Sequence, residues 1–299
     1  MEQTTVQKPV LMNRLKLLFK IVVTIGCLWY VFTKINFREA WSVIITANWF
    51  WLLSALVIYS VSKYIGARRL SIYFKNIGIY LPESQNVKLY WLGMFYNLFL
   101  PGAITGDAYK VVLLTRRYQT SYKKTAAAVL LDRFSGLLAL GLILAFYSCF
   151  VVKEKWILFI IIFSSLLSIP VFYFVLRRFF SDFLPGYWPT FFLGALVQIT
   201  IVICVYSVLL SIHVREDYFS FVFIFLIATI ASVLPISVGG GLGVREFVII
   251  EGAKHIGLNI QGQHNALVLS LLFYLITVIC SLAGVYFVVR DPFDKKPVN

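Results

Sequence analysis

Apolar residues in this chain come in long continuous runs, not in the one-sided 3.6-residue stripe of a soluble amphipathic helix or the alternation of a half-buried strand. The runs over residues 15–32, 49–65, 125–152, 156–176, 188–212 and 266–289 have the continuity of helices that cross a bilayer, whose core takes about 20 apolar residues. Two further apolar stretches are interrupted. Leu89–Leu100 would rise only about 18 Å, short of a core about 30 Å thick, and it stops at Pro101 and Gly102 before resuming past Gly106 at Ala108–Leu114. Tyr218–Leu234 stops at Pro235, passes Ser237, Gly239, Gly240, Gly241 and Gly243, and resumes at Val244. Hydrocarbon offers backbone N–H and C=O groups no partner, so such breaks survive only where they are buried in protein or line a wet cavity.

Basic residues orient the runs. Lys63, Arg68, Arg69, Lys75 and Lys88 are read as one loop facing the single acid Glu83, and Arg116, Arg117, Lys123 and Lys124 as a second. With Arg177-Arg178 and Arg290, these clusters are expected in the cytoplasm. The charges of His213–Asp217 nearly cancel, and that loop is expected outside. Because basic clusters flank the first break on both sides, the break is expected to be re-entrant from the cytoplasm, and by alternation the second is re-entrant from outside. The expected fold is all-α: a polytopic membrane protein with an inverted repeat of three spans plus one re-entrant broken helix per half. The halves are residues 14–152 and 153–290, with polar cytoplasmic tails at 1–13 and 291–299; eight full spans is the alternative. The run 15–32 is read as a span, since no small-residue cleavage site follows it. The protein is expected in the cell inner membrane, multi-pass, with both termini cytoplasmic. Paired breaks in inverted halves would meet near the midplane, where transporters of that build hold substrate.

Composition narrows the classes. The chain is 60% hydrophobic and 13% charged, with mean hydropathy +0.86, which leaves no stretch for a soluble domain. A net charge of +14 would suggest nucleic acid in a soluble protein; here it sits beside apolar runs as topology signal, and no nucleic-acid partner is expected. Cys27, Cys149, Cys204 and Cys280 lie in apolar runs without ligand spacing, and His213, His255 and His264 are scattered. No metal site, cofactor or catalytic set is expected, and the chain is read as a non-enzyme.

Three charged pairs carry the candidate chemistry. At Gly239–Glu246 uncovered amides, a helix N-terminus and the fixed guanidinium of Arg245 suit a phosphate, and Glu246, about 100° round the helix, is expected to meet a cation on another element. The alternative is that the glycines serve close packing and Arg245–Glu246 is a structural pair. Asp107 and Lys110 share a helical face after the first break; Asp107 as a cap and Lys110 as a snorkelling lysine are the bland readings. Asp132-Arg133 lies about 11 Å into its span, where a lipid-facing charge costs about 2.5–3.5 kcal/mol. The pair is expected to close a network with Asp107, Arg245 and Glu246, Arg133 meeting Glu246 across the halves, with Gly136 permitting close approach. A purely structural network is the alternative.

Over Asn97–Lys110, Asp132-Arg133-Phe134-Ser135-Gly136 and Leu234–Glu246, the chain resembles the flippase-like membrane family typified by the transmembrane region of lysylphosphatidylglycerol synthases. The most specific element is Pro235-x-Ser237-x-Gly239-Gly240 followed by Gly243-x-Arg245-Glu246. Bifunctional members add a soluble aminoacyl-transfer domain; this chain stops at Asn299, so synthase activity is not implied. The resemblance implies translocation of a lipid between leaflets in envelope lipid metabolism. The expected partner is a membrane lipid with an anionic or zwitterionic headgroup, with a lipid-modifying enzyme as a second partner class. Rival readings are an integral membrane transferase acting on lipid-phosphate sugars and a noncatalytic partner of a lipid-synthesis enzyme. Asp107, Lys110, Asp132, Arg133, Ser237, Gly239, Gly240, Gly243, Arg245 and Glu246 are the candidate headgroup contacts. Pro101, Gly102, Gly106, Pro235 and Gly241 are the candidate helix-break positions.

Overall fold

A computed structural model describes residues 44–99, 105–233, 244–289 and 292–293. The run 15–32, both break tips and the chain ends lie outside the described residues, and with them Pro101, Gly102, Pro235, Ser237, Gly239, Gly240, Gly241 and Gly243. The described chain is helical, with no strand among the described residues. In order the helices are α1 (Trp49–Lys75), α2 (Glu83–Phe99), α3 (Thr105–Tyr118), α4 (Tyr122–Val151) and α5 (Lys155–Phe179), then a 3-10 turn at Ser181–Gly186. They continue as α6 (Tyr187–Ser211), α7 (Tyr218–Val233), α8 (Val244–His255), α9 (Ile260–Leu282) and α10 (Val285–Val289). Among the described residues, five helical stretches are long and apolar enough to span: α1, α4, α5, the 3-10 turn with α6, and α9 with α10. The chain is a polytopic all-α membrane protein.

Local chemistry fixes the ends. Asn48 Oδ1 accepts from Phe50 N at 3.1 Å to start α1, and Asn259 Oδ1 accepts from Gly262 N at 2.7 Å to start α9, each satisfying an amide that the first helical turn leaves without a partner. One expectation fails here. Lys63, Arg68 and Arg69 belong to α1, which runs on to Lys75 rather than ending near Ile65. The helix survives those charges because Arg69 is neutralised by Asp132 of α4, Nε to Oδ1 2.7 Å, and Arg68 by Glu83, 3.3 Å.

Contacts between helix ends decide which pairs cross. α1 and α6 pack antiparallel: Asn48 N donates to Ser211 O at 2.8 Å, and Asn76 Nδ2 donates to Phe183 O at 3.3 Å at the opposite end. The start of α4 reaches the same 3-10 turn through Lys124 Nζ and Asp182 Oδ2, 2.7 Å. So the chain leaves α1 and begins α4 at one face, and α2 and α3 between them go in and come back. Their pairing agrees, since a methyl on Gly106 would stand 2.0 Å from Gly93 O, and one on Gly93 2.0 Å from the Lys110 side chain. Gly93 opposite Lys110 and Tyr96 opposite Tyr109, 4.9 Å apart, stand at similar distances from the break, which is the register of a hairpin.

The second broken element opens at the other face. Phe219 in the first turn of α7 lies 4.5 Å from Phe150 at the end of α4, and Tyr218 lies 5.4 Å from Tyr206 near the end of α6. A methyl on Gly252 would meet Ile224 at 3.3 Å, so α8 runs back along α7. The two hairpins therefore enter from opposite faces. Around them α4, α6, α7 and α9 contribute the largest apolar core, whereas α5 buries only Leu176 and shows Trp156, Phe159, Phe163 and Phe174 outward, as suits a helix bathed in lipid.

Re-entrance makes a labelling pattern. In a background lacking the native cysteines, single cysteines at Lys75 and Lys123 are expected to react with an impermeant thiol reagent from the same side of sealed vesicles, and one at Glu216 only from the other. Labelling of the first two from opposite sides would mean that α2 and α3 cross.

Candidate functional site

The first hairpin ends in a charge cluster. Gly106, expected in the break, instead lies in the first turn of α3, where its missing side chain admits the Gly93 carbonyl. Asn97 of α2 then reaches across, its Oδ1 accepting from Gly106 N at 2.8 Å. An exposed amide of α3 is thus capped from the neighbouring helix, and Asp107 is free for other work. It collects cations: Lys110 Nζ lies 2.9 Å from Oδ1, and Arg133 Nε of α4 donates to Oδ2. Asp107 and Lys110 are buried, while the Arg133 side chain keeps 28% exposure.

Asp132 turns the other way. Its Oδ1 accepts from Arg69 Nε at 2.7 Å, with side chains 10% and 7% exposed. The guanidinium needs room, and glycine supplies it: a methyl on Gly136 would stand 3.0 Å from Arg69 Nη1, and one on Gly194 of α6 3.5 Å from it. Gly136 therefore serves Arg69 before it serves helix approach. Gln198 Nε2 of α6 donates to Gly136 O at 3.2 Å and closes the three helices over the pair.

Arg245 at the start of α8 is held differently. It is 7% exposed, and its guanidinium carbon stands 5.1 Å from the Phe225 ring centre and 5.0 Å from that of Phe273. Ring faces attract a cation without consuming its N–H groups. Nε and Nη2 make no hydrogen bond among the described residues. Tyr59, Tyr274 and Glu246 are its electrostatic neighbours. Glu246 points elsewhere, its Oε1 accepting from Ser270 Oγ of α9 at 3.5 Å.

The expected network of five is thus three separate groups. Arg133 pairs with Asp107 and not with Glu246, because α3 and α4 are adjacent whereas α8 packs on α7 and α9. Asp107, Lys110 and Arg133 come together; Asp132 faces away to Arg69; Arg245 and Glu246 stand at the second hairpin. Sequence reasoning missed Arg69, Asn97, Tyr59 and Lys63. The signal for Arg69 was present: Tyr59, Ser62, Gly66, Arg69 and Tyr73 recur at three- and four-residue spacing along α1, all buried, the mark of one packed face. Among the described residues no group of His, Cys, Asp and Glu is placed to hold a metal ion.

Comparison with known proteins fits this build. The family model described as "Lysylphosphatidylglycerol synthase TM region" matches residues 17–284. A UPF0104 membrane protein of Pyrococcus horikoshii, PH1989, is 27% identical over 124 residues, 40% of this chain and 37% of that protein. The match thus spans little more than a third of that relative's length.

Breaking a buried ion pair strands a charge and costs about 3–5 kcal/mol, whereas removing both members is often close to neutral. Asp132→Asn alone is therefore expected to lower the melting temperature in detergent sharply, and Arg69→Gln with Asp132→Asn to recover most of it. A double variant no more stable than the single one would mean that the two side chains act separately.

Proposed function

Because the chain belongs to the lysylphosphatidylglycerol synthase transmembrane-region family, whose description ties it to membrane lipid, we propose that it is a non-enzymatic lipid translocator of the inner membrane. It moves a phosphate-bearing headgroup between leaflets while the acyl chains stay in the bilayer, and both chain ends lie in the cytoplasm. The observation that carries this reading is Arg245, buried between Phe225 and Phe273 with Nε and Nη2 without hydrogen bonds among the described residues. Among those residues Arg69 is paired with Asp132 through Nε and leaves Nη1 without a partner, whereas Arg245 leaves both Nε and Nη2 unpaired, and each such buried donor costs about 1–3 kcal/mol. A phosphate oxyanion satisfies two guanidinium N–H groups at once.

The first hairpin supplies the other station. Asp107 holds Lys110 and Arg133 in place while no anion is bound, and Arg133 is exposed enough to meet a headgroup. Leu130 and Leu137, three before and four after Arg133 on α4, line an apolar groove of about 730 Å³ with Phe134 and with Ser168 and Val171 of α5. That groove gives an acyl chain a wall to follow beside the headgroup. In this reading the hairpins are the moving parts, and a lipid-modifying enzyme is the natural source or consumer of the lipid.

The test is leaflet exchange of an acyl-labelled phosphatidylglycerol in vesicles holding purified protein. Loss of a charge-assisted hydrogen bond of about 1.5–3 kcal/mol predicts a fall of about tenfold to a hundredfold for Arg245→Ala. Arg245→Lys is expected to rescue poorly, because an ammonium lacks the planar fork. Equal rates for the Lys variant and the native protein would reduce Arg245 to a point charge, and no acceleration by the native protein would overturn the translocator reading.

A further inference from the structure

Lys63 sits at the centre of α1, about 21 Å along the helix from Trp49 and about 18 Å from Lys75. A lysine stem cannot reach either interface from that depth, so its charge must be served within the protein. No carboxylate pairs with it among the described residues. Its ammonium instead lies 4.3 Å from the ring centre of Tyr59, and the residue is half-buried.

Its neighbours connect the two hairpins. On one side is Tyr90 of α2, whose hydroxyl fills the space left by Gly66, 2.6 Å from where a methyl there would sit. Tyr90 has Lys63 as an electrostatic neighbour, and its ring lies 5.0 Å from Lys110 Nζ. On the other side Tyr59 packs edge-on against Phe273 at 5.4 Å, the same ring that faces Arg245. Lys110, Tyr90, Lys63, Tyr59, Phe273 and Arg245 thus form a row of cations and rings, in which Tyr90 and Lys63 are electrostatic neighbours and Tyr59 and Phe273 adjoin edge-on. Ring faces hold Lys63 and Arg245 in place and leave N–H donors for an anion, whereas Lys110 gives one of its donors to Asp107.

We infer that Lys63 is a midway phosphate-binding cation, which receives the headgroup phosphate between the Lys110–Arg133 cluster and Arg245. This rests on the translocator reading and adds to it a residue on a helix outside both hairpins. A midway station lowers the barrier between two end sites without setting affinity at either, so its loss should slow exchange and spare binding.

The experiment uses the full chain in phosphatidylcholine vesicles with acyl-labelled phosphatidylglycerol, and an uncharged glycosyl diacylglycerol as the phosphate-free comparator. Lys63→Gln is expected to cut phosphatidylglycerol exchange about tenfold with its equilibrium binding unchanged, and Lys63→Arg to stay near the native rate. To keep the test independent of folding, Lys63→Cys is placed in a background whose native cysteines are replaced and which moves lipid normally. Treatment with aminoethyl methanethiosulfonate restores an ammonium and should restore exchange, whereas the neutral methyl reagent should not. Native exchange in Lys63→Gln, an equal loss for the glycolipid, or equal rescue by both reagents would overturn the inference and leave the translocator standing. Carriage of inorganic phosphate that stops in Lys63→Gln would assign the residue to an ion path and overturn it too. No exchange by the native protein would overturn both.

Discussion

Hydrocarbon gives an interrupted helix no water to hydrogen-bond its freed backbone, and the rest of this structure is arranged to satisfy that constraint twice. At the first interruption the answer is visible in the described residues. Gly93 and Gly106 bring two arms into contact, and Asn97 caps α3 from α2. Once the amide is capped from outside the helix, Asp107 is released to bind cations, so the charge cluster is a consequence of how the break is covered.

The hairpins then need a frame that does not move with them. α1, α4 and α6 provide it, bound by the Arg69–Asp132 pair beneath Gly136 and Gly194. Adjacent residues of α4 have separate tasks for a simple reason: they point about 100° apart on the helix, so Asp132 faces the frame while Arg133 faces the hairpin. A displacement of α3 relative to α4 is therefore felt at Arg133 without disturbing the pair beside it.

Helix positions were largely legible in the sequence, because crossing a bilayer demands unbroken apolar runs. The same arithmetic hid the lower half of α1. Lys63, Arg68 and Arg69 read as a loop in the sequence because hydropathy counts charges and cannot see Asp132 or Glu83 cancelling two of them from other helices. Charged residues themselves were found readily, being costly in such a setting, but their partners were not. The pairing of Arg133 with Asp107 depends on α3 lying against α4, and Arg245's choice of Phe225 and Phe273 depends on rings from α7 and α9. A sequence with 27 phenylalanines gives no hint of which two will serve.

The two hairpins are related in backbone but not in chemistry. At the first, Lys110 and Arg133 are already neutralised by a carboxylate, and an incoming anion must compete with Asp107 for them. At the second, Arg245 is held by ring quadrupoles, which leave Nε and Nη2 open among the described residues. In a medium of low dielectric an ion pair is hard to open, whereas a cation on aromatic faces accepts an anion without first losing a partner. An anion would therefore bind more readily at the second hairpin, and at the first its arrival must be coupled to movement of Asp107. Because Asp107 rides on α3, that movement is a movement of the hairpin arm, which is how binding of a headgroup would be converted into a change of shape.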